Sequence, residues 1–204
     1  GAVYFALKGA HVTATDLSPG MLNVVEKVAS HHGVSLITKV CSATDLSQFD
    51  DDTFDIVYGA NILHHVDIGP CLDEVRRVLK DGGRGAFWDP VQHNPVINLY
   101  RRMAAGVRTP DEHPMRRRDI RLFRDRFSEV NCRFFWLSSL FVFLKFYLVD
   151  RIHPSEDRYW KILISRENEL RNLVKPLFVI DRFLLLAMPL LGWWCWNITV
   201  MVKK

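Results

Sequence analysis

The fold is decided by residues 11–22, which read HVTATDLSPGML. The first of these residues alternate between apolar and polar types, as a half-buried strand does, and the alternation ends at an acid, Asp16. Ser18 and Pro19 then supply a preferred helix N-cap and a proline suited to the first helical position. The stretch therefore predicts a strand, a turn that carries Asp16, and a helix.

The position of Asp16 predicts a ligand site. Open α/β sheets bind their ligands in the crevice outside the carboxyl ends of the strands. A carboxylate at that edge can accept two hydrogen bonds from the hydroxyls of a ribose. If this stretch is considered alone, the alternative is that Asp16 is an exposed aspartate in a turn and binds no ligand.

The same alternation of strand and helix continues through the first 90 residues. Helices are predicted over 1–8, 19–32 and 70–79, and strands over 11–16, 35–41, 54–59 and 85–88. A charged turn with two glycines, residues 80–83, is expected to end the third helix, and the strand at 54–59 is apolar enough to be buried. This order predicts a parallel sheet with helices on both faces.

Length and cysteine content narrow the class of protein. A chain of 204 residues predicts one domain, or one domain with an elaboration. We expect residues 1–90 to form its cofactor-binding part and residues 91–204 the remainder of the same domain. The four cysteines show no CxxC spacing, which favours buried thiols in a reducing, cytoplasmic compartment and argues against a zinc site.

Charge is distributed unevenly along the chain. Residues 1–100 hold 7 Lys and Arg against 12 Asp and Glu, whereas residues 101–204 hold 20 against 11. The second half is therefore expected either to meet an anionic partner or to present a solvated basic face.

Four pieces of sequence, in order, resemble one enzyme family. They read TDLSPGML, SATDL, FDDDTFDIVYGANILHHV and EVRRVLKDGG, and a last strand-like run, WNITVMVKK, follows at the end of the chain. Together they resemble a class I S-adenosylmethionine-dependent methyltransferase of the small-molecule, type 11-like kind. The resemblance implies a Rossmann-like doubly wound α/β sheet, mostly parallel with an antiparallel last strand, and S-adenosylmethionine as cofactor.

The resemblance also implies roles for individual residues. Asp16 would hold the ribose hydroxyls, and Asp45 would accept from the adenine amino group beside the backbone amide of Leu46. The remaining implied cofactor contacts are Gly1 near the glycine-rich turn, Leu17 and Met21 at the adenine, and Ala60 and Asn61 beside the methionine portion.

The sequence departs from the family at its start. The family opens with a central strand and a glycine-rich turn, and Gly1 falls at or just beyond that turn. We therefore expect an N-terminally truncated chain that lacks the first strand. Two alternatives stay open: a non-catalytic remnant that serves as a membrane-associated or partner-binding module, and an NAD-dependent oxidoreductase, because Asp16 would suit the ribose of NAD equally well.

Methyl transfer from a sulfonium asks the protein mainly to position the acceptor and exclude water. An oxygen or nitrogen acceptor also needs a base. The candidates that follow the third and fourth strands are His64, His65, Asp89 and His93. A structural role is the alternative for His64, and His93 could serve as a base or as a ligand of the acceptor. The spacing of these candidates does not match helical metal ligands, so no metal is expected.

Residues 91–133 resemble an insertion over the pocket. Residues 109–114 form a proline-bounded loop that we expect to act as a lid. A single arginine-rich helix is predicted after it, with Arg117, Arg121 and Arg124 on one face. Such a face could bind phosphate or anionic lipid. Nucleic acid is not expected, because interleaved aromatic residues and any recognisable motif are lacking.

The end of the chain is unusually apolar. Residues 134–149 carry one charge, and residues 183–202 carry none, but Pro189 and Gly192 interrupt the second run. We predict a helix over 176–188, a turn and an edge strand. The tryptophans at 193, 194 and 196 would lie either in the core or at the inner face of an anionic membrane, in peripheral contact. A small, lipophilic acceptor is expected, and the oligomeric state is left open.

Overall fold

The computed structural model describes residues 1–104 and 112–204, and its elements follow the predicted order. The eight helices described are α1 Ala2–Leu7, α2 Pro19–His31, α3 Ile68–Val78, α4 Pro95–Met103, α5 Asp119–Arg124, α6 Phe141–Leu148, α7 Tyr159–Ser165 and α8 Glu167–Ala187. The strands described are β1 Thr13–Asp16, β2 Ile37–Val40, β3 Phe54–Ala60, β4 Leu79–Pro90, β5 Glu129–Phe135 and β6 Asn197–Lys203. The 3₁₀ turns within the described part of the chain are Leu63–His65, Ser138–Leu140 and Pro189–Trp194.

The described strands form two sheets. β1 and β2 pair in parallel, and a four-stranded sheet has the order β3-β4-β6-β5. The predicted Rossmann-like α/β class, a mixed and mostly parallel arrangement flanked by helices, is confirmed. Among the described strands, β1 and β2 do not pair with β3. That the chain lacks the central first strand of the family stays a prediction.

The last strand, β6, is antiparallel to β4. The backbone N–H of Val91 donates to the carbonyl of Trp196 at 2.7 Å, and that of Lys204 donates to the carbonyl of Gly83 at 2.9 Å. Positions on β4 thus rise as their partners on β6 fall, which is the antiparallel pattern. The predicted antiparallel last strand is confirmed.

The prediction of β6 as an edge strand was wrong. On its other side β6 bonds to β5, where the Ser128 N–H donates to the carbonyl of Lys203 at 3.0 Å. Ile198, Val200 and Val202 are accordingly buried. β6 was expected at the edge because β5 was not predicted, since the last residues of β5 merge into the apolar run at 134–149.

Two predictions in the first half need correction. β3 is not buried on both faces, because Ile56 is 63% exposed and Tyr58 is 45% exposed. Residues 80–83 are not a turn after α3 but belong to β4, which begins at Leu79 and continues through Gly82 at φ +74°. A glycine tolerates this left-handed conformation without the clash that a Cβ would cause.

The predicted arginine-rich helix is also wrong. α5 covers only Asp119–Arg124, so Arg117 precedes the helix and cannot share its face with Arg121 and Arg124. Arg126 follows the helix and forms an ion pair with Asp73, with Nε 2.7 Å from Oδ1. Residues 105–111 lie outside the described residues, so the lid predicted at 109–114 is described only in its last residues.

The helix predicted over 176–188 is longer than expected. α8 spans Glu167–Ala187 and contains Pro176 in its interior. The proline was interpreted as a helix start, although the residues before it already present Leu170 and Val174 towards the protein at helical spacing. Among the helices described, none is both long enough and apolar enough to cross a membrane.

Two compact units can be distinguished in the chain. One comprises residues 1–87, 121–130 and 201–204, and the other comprises residues 88–120 and 131–200. The predicted boundary at residue 90 lies close to the first of these divisions. That residues 121–130 and 201–204 also belong to the first unit was not predicted.

The core of the second unit is rich in aromatic side chains. Phe143, Phe146 and Tyr159 are buried there, and Trp196 packs edge-on against Phe143 with ring centroids 4.9 Å apart. Such edge-to-face pairs are favoured by the ring quadrupole. Of the three tryptophans considered for a membrane interface, Trp196 thus contributes to the core, whereas Trp194 is 54% exposed.

Arg77 on α3 fastens the loop that follows β2. Its guanidinium donates to the carbonyl of Leu46 at 2.9 Å and to that of Phe49 at 2.8 Å. It also forms ion pairs with Glu74 at 2.9 Å and with Asp51 at 2.8 Å. The planar fork of arginine suits several acceptors at once, whereas the single ammonium of lysine does not.

We therefore predict that Arg77→Lys lowers the free energy of unfolding by about 1–3 kcal/mol, because partly buried carbonyls lose their donors. Urea denaturation of the variant measures this. Arg76→Lys on the same helix, where the side chain is exposed, is the matched control and should change stability little. Equal losses in the two variants would show that the loop does not depend on Arg77.

Candidate functional site

Asp16 lies at the carboxyl end of β1. The parallel register places it opposite Val40, the last residue of β2, and its carbonyl accepts from the backbone N–H of Cys41 at 3.3 Å. The carboxyl ends of both strands therefore meet at one edge. The side chain of Asp16 is exposed, and its Oδ1 accepts from the N–H of Ser18 at 2.8 Å. Because a carboxylate offers about four acceptor sites, capacity for a diol remains.

Two apolar side chains lie exposed directly after Asp16. Leu17 is 67% exposed and Met21, in the first turn of α2, is 54% exposed. Ser18 caps this helix, since its Oγ accepts from the Met21 N–H at 3.3 Å. An acid next to open apolar surface suits a nucleoside, which has a polar sugar and a flat base.

Asp45 follows β2 and is also exposed. Its Oδ1 accepts from the backbone N–H of Ser47 at 3.1 Å. Hydrogen bonds from the side chain and backbone of Ser47 lower the pKa of Asp45, and the charge of Arg77 contributes in the same direction. The group is thus an ionised acceptor at neutral pH, as its predicted contact with an amino group requires.

Asp45 lines an open cavity of about 560 Å³. The other lining residues are Thr44, Ser47, Pro70, Asp73, Glu74 and Arg77. The Leu46 amide, predicted to lie beside the adenine, donates instead to Glu74 Oε2 at 2.7 Å. In this arrangement the protein itself engages that amide, and Asp45 remains as the lining residue with a predicted cofactor contact.

Cys41 is a neighbour that the sequence analysis did not select. It directly follows β2 and lies between Asp16 and Asp45 in the sequence. Its side chain is half-buried. Burial raises the pKa of its thiol, although a hydrogen bond with Thr15 acts in the opposite direction. Cys41 therefore stays protonated near Asp45. Its position at a strand end was the signal that could have identified it.

The three remaining candidates for the methionine portion lie around β3. A Cβ on Gly1 would approach Cε1 of Tyr58 to 2.9 Å, so glycine fits this close contact. Ala60 and Asn61 are exposed at the carboxyl end of β3. Asn61 has φ +54°, a left-handed conformation in which asparagine is enriched. No contact tests their predicted role.

Burial argues against two of the four candidate bases, His64 and Asp89. His64 is 6% exposed and packs its ring against His65 with centroids 4.1 Å apart. Asp89 is 1% exposed. A general base must reach the proton that it removes, directly or through one water. The structural alternative is therefore favoured for His64.

His93 is an accessible candidate base, as is the exposed His65, and His93 lies among charged side chains. Its ring lies edge-on to Trp193 at 5.6 Å, and its Nε2 faces the backbone N–H of Arg117 at 3.4 Å. Burial lowers the pKa of His93, and the positive charges of Arg117 and Arg116 lower it further. The imidazole is thus neutral at pH 7 and able to accept a proton.

The candidates fall into two groups in the structure. The eight cofactor-binding candidates and His64 belong to the first unit, whereas Asp89 and His93 belong to the second. Within the first unit, the β1–β2 pairing brings the strand end of Asp16 next to the chain that leads to Asp45. Within residues 1–104 and 112–204, no group of three His, Cys, Asp or Glu side chains could hold a metal ion.

Comparison with known proteins bears on the first unit. Residues 1–87 match a family model described as a methyltransferase domain. The resemblance predicted from the sequence, to S-adenosylmethionine-dependent methyltransferases, is confirmed for this part of the chain.

Individual relatives cover only part of the chain. It is 44% identical over 81 residues to a demethylmenaquinone methyltransferase of Clavibacter sepedonicus, covering 39% of this chain and 32% of that protein. It is 35% identical over 99 residues to the protein YafE of Escherichia coli K12, covering 48% of each. The chain thus spans about a third to a half of the length of these relatives.

A solved structure shares the fold over a longer stretch. The S-adenosylmethionine-dependent methyltransferase of Methanosarcina mazei superposes with a TM-score of 0.56 and 24% identity, covering 67% of this chain and 78% of that one. At this identity the likeness concerns the fold.

The electrostatic origin of the neutral His93 can be tested. We predict that Arg117→Gln raises the pKa of His93 towards its ordinary value of about 6.5, because one of the charges that oppose protonation is removed while the backbone N–H stays. An NMR titration of the imidazole protons measures the change. Arg118→Gln is the control, because Arg118 is not among the charges that act on His93. Equal pKa values in the wild type and Arg117→Gln would contradict this assignment.

Proposed function

We propose that this chain, whose residues 1–87 match the methyltransferase domain family, binds S-adenosylmethionine and transfers its methyl group to a small, lipophilic acceptor. The observation that carries the proposal is the edge of the β1–β2 pair, where the carboxylate of Asp16 lies beside exposed apolar side chains. The family match supports the cofactor, and the chemistry of the edge fits it.

The residues present suit the parts of this cofactor. Asp16 retains acceptor sites for two ribose hydroxyls after it has bound the Ser18 amide. Leu17 and Met21 offer apolar surface for the adenine, and the ionised Asp45 can accept from its amino group. When bound, S-adenosylmethionine supplies a methyl group that its sulfonium has already activated.

The protein's own task is then to orient the acceptor and manage one proton. An oxygen or nitrogen acceptor loses a proton when it is methylated. His93 is suited to take that proton, because its lowered pKa keeps the ring neutral at pH 7. The buried His64 and Asp89 are not part of this proposal as bases.

The lipophilic character of the acceptor rests on two observations. The relative from Clavibacter sepedonicus is named for demethylmenaquinone, an apolar quinone. The second unit also exposes large apolar side chains on α6, among them Phe141 at 63% and Leu148 at 66%. Both support an acceptor that prefers an apolar environment.

Calorimetric titration with S-adenosylhomocysteine, the demethylated product, tests the proposal. Asp16→Ala is expected to weaken binding by about 1–3 kcal/mol, because ribose hydroxyls lose their acceptor. Asp16→Asn keeps one oxygen for the Ser18 amide and so separates loss of ligand contacts from damage to the turn. Both variants should weaken binding, whereas Asp16→Asn should unfold at the same temperature as the wild type.

Asp50→Asn, which alters an exposed acid of the loop before β3, is the control and should bind normally. Wild-type affinity in Asp16→Ala would remove Asp16 from the site. Preferential binding of NAD would favour the oxidoreductase alternative, and a folded protein that binds neither ligand would favour the non-catalytic module.

A further inference from the structure

The outer face of α8 is apolar over its C-terminal half and the turn that follows. We define the α8 apolar face by its exposed members on the helix and the 3₁₀ turn, which are Val179, Ile180, Phe183, Leu186, Leu190 and Trp194. Phe183 is 67% exposed, Leu186 79% and Leu190 74%. Contiguous apolar patches on soluble proteins mark sites of interaction with proteins, ligands or membranes.

The opposite face fixes α8 to its own unit. Asp181 is 4% exposed, and its carboxylate accepts from the backbone N–H groups of Leu137 at 2.9 Å and Ser138 at 2.6 Å. Ser138 also donates from its hydroxyl to the carbonyl of Leu177 at 3.1 Å. Because two residues along a helix correspond to about 200°, Val179 and Phe183 point away from the side that Asp181 anchors. The apolar face is thus held outward.

The exposed charges within residues 173–194, the stretch that carries the α8 apolar face, have one sign. Asp181 is the one acid between residues 173 and 194, and it is buried. The two basic residues of that stretch, Lys175 and Arg182, are exposed and seven residues apart, so they share one flank of the helix. Trp194 lies at the end of the segment, and tryptophan is enriched at the interface between membrane and water.

We propose that the α8 apolar face docks parallel to an anionic lipid bilayer surface, with Lys175 and Arg182 at the headgroups. An exposed apolar face flanked by basic residues is the pattern of helices that lie in the interface plane. A bilayer with anionic headgroups matches both parts at once, because its hydrocarbon accepts the apolar side chains and its headgroups attract Lys175 and Arg182. The inference deepens the proposed function, since a lipophilic acceptor would be found in such a surface, but binding itself does not depend on catalysis.

Vesicle flotation tests the proposal. The wild-type protein is expected to float with vesicles of phosphatidylcholine mixed with an equal amount of phosphatidylglycerol, and to float less with phosphatidylcholine alone or at high salt. Phe183→Ser with Leu186→Ser should reduce partitioning about tenfold or more, because two side chains lose their apolar contact. Lys175→Gln and Arg182→Gln should each reduce it about fivefold.

A matched double variant elsewhere in the protein tests whether flotation depends on the α8 apolar face. Ile37→Ser with Ile56→Ser changes two side chains that are 60% and 63% exposed in the first unit, and should leave flotation unchanged. Circular dichroism checks that every variant is folded. Calorimetry with S-adenosylhomocysteine on the Phe183→Ser, Leu186→Ser variant should give wild-type affinity, which separates lipid docking from cofactor binding.

Three results would overturn the proposal. The wild type could stay unbound with anionic vesicles at low salt, or the double serine variant could float as the wild type does. In the third result, the wild type does not float, and light scattering detects a dimer of the wild type but not of the double serine variant. A second copy of the chain would then occupy the α8 apolar face. If the wild type floats with anionic vesicles but does not bind S-adenosylhomocysteine, the proposed function is overturned and the proposed lipid docking stands.

Discussion

The parallel pairing of β1 with β2 is the constraint on which the candidate site depends. Parallel strands bring their carboxyl ends to the same edge, and here the register sets Asp16 opposite Val40. Two acids that are far apart in sequence, Asp16 and Asp45, consequently follow neighbouring strand ends. Arg77 ties the loop that carries Asp45 to α3 through the carbonyls of Leu46 and Phe49, and Glu74 adds a contact with the Leu46 amide. Backbone pairing sets the edge, and one arginine on α3 fixes the second acid.

Much of this arrangement could be predicted because its signals are local. The Ser18 cap, the proline after it and the acid at the end of β1 lie within a few residues, and the structure has all three where they were expected. The engagement of the Leu46 amide by Glu74 could not be predicted, because the two residues are 28 positions apart. The burial of Asp89 likewise depends on packing that no local pattern encodes.

The second half of the chain was harder to predict, for a physical reason. Its apolar runs satisfy the patterns of a strand, a core helix and a membrane contact equally well, so periodicity does not separate them. The last residues of β5 merge into such a run, β5 was not recognised, and β6 was consequently taken for an edge strand. In α8 the position of Asp181 decides which face points inward, and its role became visible only through its contacts with Leu137 and Ser138.

The central claim is that the edge formed by β1 and β2 receives a nucleoside of the S-adenosylmethionine type. The most direct measurement follows backbone amide chemical shifts during titration with S-adenosylhomocysteine. The largest changes are expected at residues 16–21 and 44–47, with smaller changes during an equal titration with NAD. Changes confined to other parts of the folded protein, or no changes at all, would contradict the assignment of this edge as the cofactor site.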